Sequence, residues 1–60
     1  MTLNEARELA RDYGCYIVSV NDSRKGEVYV LYRNMGSKGI RLGLRSSVRG
    51  ICELVKKVCR

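Results

Sequence analysis

EVYVLYRNMGSKGIRLGLR, residues 27–45, decides what kind of fold this chain can adopt. Its opening segment, 27–33, is rich in β-branched and aromatic residues, the composition of a strand. Asn34, Gly36 and Gly39 then break the run within the six residues 34–39, the signature of a turn. Beyond the break, Ile40, Leu42 and Leu44 alternate with Arg41, Gly43 and Arg45. This period of two marks a strand with one apolar and one basic face. Two such strands around a short turn form an antiparallel hairpin.

Working outward, residues 15–21 repeat the strand composition. Asp22, Ser23, Arg24, Lys25 and Gly26 suit a hairpin loop that ends in glycine. Residues 2–13 read as a helix. Leu3, Ala6, Leu9, Ala10 and Tyr13 recur at helical spacing, and Thr2 with Glu5 forms a capping box. Gly14 follows as a C-terminal cap. Ser46 or Ser47 caps a last helix over about 48–59. Its stripe is Val48, Ile51, Cys52, Val55, Val58 and Cys59, with Arg49, Glu53, Lys56, Lys57 and Arg60 outside. Neither helix buries its stripe alone, so both should cover one face of the sheet. The expected fold is α+β: helix-strand-strand-strand-helix, with a three-stranded antiparallel sheet in order 1-2-3.

Face assignments follow from the last strand. With Ile40, Leu42 and Leu44 toward the helices, Arg41, Gly43 and Arg45 face away. On the central strand the same logic turns Val28, Val30 and Tyr32 inward and leaves Tyr29, Leu31 and Arg33 open. That open face mixes arginines with an aromatic ring, which suits phosphates, guanine edges and base or sugar contacts.

Composition narrows the function classes. At 60 residues the chain is a single small basic domain, and a domain of this size buries about 60% of its unfolded surface. Apolar residues make up 45% and charged ones 30%, which is globular rather than disordered. The net charge is +6, and residues 31–60 hold eight of the basic residues against Glu53 alone. Such a pole favours polyanions or acidic proteins. There is no His, which removes the commonest general base and zinc ligand. No nucleophile, base and orienting group converge, so no enzyme, metal or cofactor is expected. Cys15, Cys52 and Cys59 lack any paired spacing and read as buried free thiols in a reducing compartment. The longest apolar run, 28–32, is too short to span a membrane, so the expected location is cytoplasmic.

The residues expected to carry function are Tyr29, Arg33, Lys38, Arg41, Arg45 and Arg49. Arg49 falls in the first turn of the last helix, where the dipole disfavours a cation, and so points to a partner anion there. From Tyr16 to Val58, the strands 28–33 and 40–45 and the helix capped at Ser47 resemble the arm-site DNA-binding domains of phage tyrosine recombinases. The resemblance implies a sheet face entering the major groove, with Arg33, Arg41 and Arg45 as its readers. The element order is also similar to that of double-stranded-RNA-binding domains, but the Lys-rich helix start and the Gly-Pro loop of that group are missing here. The leading expectation is therefore a noncatalytic nucleic-acid-binding protein, with DNA favoured over RNA. The alternative is an adaptor or inhibitor of the kind phages and mobile elements encode. It would dock on an acidic protein through Tyr29 and Leu31. No membrane partner is expected. Residues 15–21 carry no charge, so this strand is poorly protected against pairing and predicts a weak homodimer through its edge.

Overall fold

The computed structural model describes residues 1–59; Arg60, expected on the outer face of the last helix, lies outside them. The element order is α1 (Leu3–Asp12), β1 (Cys15–Asp22), β2 (Gly26–Met35), β3 (Lys38–Arg45) and α2 (Val48–Val58). The strands form one antiparallel sheet in order β1-β2-β3. Both helices pack on the same face of it, giving a two-layer body of 30 × 27 × 16 Å. No helix among the described residues is long and apolar enough to cross a membrane.

The helix ends follow their local chemistry. Thr2 Oγ1 accepts from the Glu5 backbone N–H at 3.2 Å, and Glu5 Oε1 accepts from the Thr2 N–H at 3.1 Å. Gly14, at φ 73°, turns the chain out of α1. Ser47 is the cap of α2, its Oγ accepting from the Gly50 N–H at 3.0 Å. The hairpins are tighter than the sequence suggests. Asp22 pairs with Gly26 around a three-residue loop, and Asp22 Oδ1 accepts from the Arg24 and Lys25 N–H groups at 2.8 and 3.0 Å. Met35 pairs with Lys38, so the expected six-residue break is a two-residue turn with Gly36 at φ 76°. Glycine first in a two-residue hairpin supplies the positive φ that keeps the strand twist matched.

The register of β2 is opposite to the expectation. Tyr29 and Leu31 face the helices, in one cluster with Ala6, Ala10, Ile17, Ile51 and Val55. Val28, Val30 and Tyr32 lie on the uncovered face. The reason is that residues 28–32 are apolar on both sides of the strand, so alternation carries no sign. Leu31 fills the space beneath the helices together with Ile51 and Val55 of α2. Short β-branched valines suffice for a face with no second layer.

β3 is corrected by a bulge. Leu31 pairs with Gly43 and Tyr32 with Arg41, which leaves Leu42 as an extra residue. Leu42 packs on the core as expected, and Gly43 also points there: a Cβ on Gly43 would come within 2.6 Å of Leu54 Cδ2. Past the bulge the parity flips. Leu44 pairs with Val30 on the uncovered face, while Arg45 pairs with Tyr29 on the helix side. One extra residue thus moves Gly43, Leu44 and Arg45 to the faces opposite those expected.

All three cysteines are buried free thiols. The Cys52 thiol points at the carbonyl oxygens of Met1 and Thr2, each at 3.7 Å, and ties α2 to the start of the chain. Burial, followed by the neighbouring Cys15 thiol, pushes the Cys59 thiol up from its ordinary value.

Leu31 is fully buried at the centre of the sheet. Leu31→Ala should therefore cost roughly 2–5 kcal/mol by cavity formation. A domain of this length holds only about 3–9 kcal/mol in total. Chemical denaturation should show a large loss of stability, where an exposed anchor would show almost none.

Stability should also fall at both ends of the pH scale. The Thr2 N–H lowers the Glu5 carboxyl below its ordinary 4.5, and the Arg24 and Lys25 N–H groups lower Asp22 below 3.8. Their stabilisation is present above those values and is lost as the pH falls below them. The bond from Tyr29 Oη to Glu27 Oε1, 2.8 Å long, raises the phenol above 10.0, and Cys59 is raised above 9.0. Those contributions hold below pH 9 and 10 and are lost as the pH rises past them. A melting-temperature profile should be flat near neutrality and bend down on both sides, with Glu5→Gln flattening the acid limb.

Candidate nucleic-acid interface

The uncovered face of the sheet is built in rows. Tyr16 of β1, Tyr32 of β2 and Arg41 of β3 are partners across one row. Val18, Val30 and Leu44 form the next, followed by Val20 and Val28. Val28 and Val30 are only 3% and 4% exposed although no helix covers them. Tyr16 and Val20, on the edge, are 40% and 44% exposed.

The tyrosine pair is the most defined feature of this face. The rings stack with centroids 5.4 Å apart and planes 17° from parallel. Tyr16 leans across β2 so far that its hydroxyl occupies the space a Cβ on Gly39 would need. Gly39 is thus a notch in β3 that lets Tyr16 lie flat over Tyr32. The result is a continuous aromatic surface ending beside the exposed guanidinium-bearing Arg41.

The expected site residues do not gather here. Arg41 is on the uncovered face, as the alternation predicts. Tyr29 is interior, 8% exposed, so it offers no ring to a ligand. Leu31 is buried as well, which removes both expected apolar anchors of a protein-docking face. Arg33 shares the helix-side parity of Leu31 and lies near Cys59. Arg45 is on that side too, by the first turn of α2, with Nη1 donating to the Leu44 carbonyl at 2.7 Å. Lys38 stands exposed at the β2–β3 turn. Arg49 has a local partner, Glu53 Oε1 at 3.7 Å from its Nε, one turn along an exposed helix face. Such a pair contributes little to stability, but it gives Arg49 a reason to be there that needs no bound anion.

Sequence reasoning missed Tyr16 and Tyr32. A three-residue loop followed by a left-handed glycine fixes the pairing of Asp22 with Gly26, and counting back from it sets Tyr16 opposite Tyr32. That signal was in the turn, not in the strands. Among the described residues no cluster of His, Cys, Asp or Glu is arranged to hold a metal ion. In comparisons with known proteins, no family model, no curated protein and no solved structure matches this chain.

Gly39→Ala should push the Tyr16 ring off Tyr32 while leaving the hairpin intact. Ring-proton shifts of Tyr16 and Tyr32 should move toward solvent-exposed values, with amide shifts in α1 and α2 unchanged. Retained stacking would mean that Gly39 is not the notch.

Proposed function

We propose that this chain is a small noncatalytic nucleic-acid-binding protein, with DNA favoured, acting through the Tyr16–Tyr32–Arg41 row. The observation that carries the reading is a stacked aromatic pair beside the exposed Arg41 on an uncovered sheet face. Each base stacked on an aromatic side chain is worth about 1–3 kcal/mol, whatever its identity. Arg41 supplies a cation on this face, and Lys38, on the helix-side parity of its partner Met35, stands exposed at the same end of the sheet. With Arg33 and Arg45 on the helix side, the face suits unstacked bases of a single strand better than the edges of a duplex groove. This departs from the duplex reading that the recombinase resemblance implies, while keeping Arg41 as a contact. Three free thiols fit a reducing, cytoplasmic setting.

A second reading has its own support. Exposed Val20 with half-buried Val18 and Leu44 makes an apolar surface continuous with the tyrosines, which suits an adaptor or inhibitor docking on another protein. On that reading Val20 and Tyr16 replace Tyr29 and Leu31 as anchors.

Fluorescence anisotropy with a single-stranded oligonucleotide tests the first reading. Tyr16→Ala and Tyr32→Ala should each weaken binding by about 5- to 100-fold. Arg41→Ala should weaken it and make the log–log salt slope shallower by about 0.7. Arg49→Ala should leave affinity unchanged. Absence of binding at low salt would overturn this reading and leave protein docking.

A further inference from the structure

The two edges of the sheet are protected very differently. β3 carries a bulge at Leu42 and the cations Lys38, Arg41 and Arg45, each a device that discourages a further strand from pairing. β1 pairs with β2 through eight consecutive residues without an irregularity, and between Cys15 and Asn21 it bears no charge. It is a long, regular, unprotected edge.

Beside this edge runs a groove between α1 and β1. Its α1 lining is Asn4, Arg7, Glu8 and Arg11, and its β1 lining is Cys15, Tyr16 and Ile17. Arg7 reaches over the groove toward β1, with Nη2 at 3.5 Å from Ser19 Oγ. The charge pattern is self-complementary. An antiparallel copy of α1 laid across a two-fold axis sets Arg7 of each chain against Glu8 of the other, and Asn4 against Arg11.

We propose that β1 pairs with β1 of a second copy of this chain, giving a six-stranded sheet with the two α1 helices side by side. A two-fold axis normal to the sheet at Val18 sets Val18 against its own copy and Tyr16 against Val20. Every side chain meeting on the uncovered face is then apolar or aromatic. Ile17 meets Ser19 on the helix side, below the Arg7–Glu8 pairs. The cations of β3 lie at the two outer edges of the six-stranded sheet, away from the contact. An isologous pairing of this kind closes on itself and adds no further strands, because each new edge is a bulged, cationic β3.

The dimer stands independently of nucleic-acid binding, but it has a consequence for it. An axis normal to the sheet keeps both uncovered faces on one side. The two Tyr16–Tyr32–Arg41 rows then lie on a single continuous surface.

Light scattering coupled to size-exclusion chromatography, without nucleic acid, tests the pairing. At about 100 μM protein, where even a weak interface is populated, the mass should be twice 6.8 kDa. Glu8→Arg, on an exposed helix face, should shift it to one chain, and the swap Arg7→Glu with Glu8→Arg should restore two. Val20→Lys should likewise give one folded chain, with circular dichroism as the check on folding. A one-chain mass for the unmodified protein, or a two-chain mass that survives Glu8→Arg, would overturn the proposal. Oligonucleotide binding by the Glu8→Arg monomer, at reduced affinity, would leave the Tyr16–Tyr32 reading standing by itself.

Discussion

Leu31 sits between the sheet and both helices with no exposed surface, and the architecture depends on that burial. A chain of this length has few side chains large enough to fill the space between two layers, and Leu31, Ile51 and Val55 are the ones fully enclosed. Each contributes about 1.5–3 kcal/mol by leaving water. Once Leu31 points at the helices, pleating commits Tyr29 to the same side and Val28, Val30 and Tyr32 to the other. The uncovered face is therefore what remains after the core has been chosen. Its aromatic and apolar character comes from a central strand with no polar side to offer.

Close approach of α2 to the sheet imposes the second constraint. Gly43 leaves room for Leu54, and the bulge at Leu42 turns two successive residues of β3 toward the core. The same bulge carries Arg45 to the helix side, where it lies by the start of α2, and leaves Arg41 as the cation next to the tyrosines. Core packing on one face thus sorts the charges on the other. A sheet of simple alternation would have put Arg41 and Arg45 together. This one separates them.

Local chemistry was legible residue by residue. Thr2 and Glu5 cap α1, Ser47 caps α2, and Gly14, Gly26 and Gly36 take the positive φ that their turns require. These features depend on neighbours within a few residues, so a one-dimensional reading reaches them. The candidate site was legible in one member, Arg41, which lies on the near side of the bulge. Tyr29 and Leu31 were misplaced because residues 28–32 are apolar at every position. Arg45 was misplaced because a bulge has no marker in an alternating pattern of leucine and arginine.

The amino-acid sequence by itself determined the element order, the helix caps, the places of the two hairpin turns and the concentration of positive charge in residues 31–60. Periodicity, turn residues and composition act locally, and the order of three strands follows from two short connections. Tertiary structure alone decided which side of β2 meets the helices, where β3 slips by one residue, and hence that Tyr16 and Tyr32 stack beside Arg41. Those outcomes depend on how large side chains from distant segments fill one shared space, and no local pattern in a strand apolar on both faces encodes that choice.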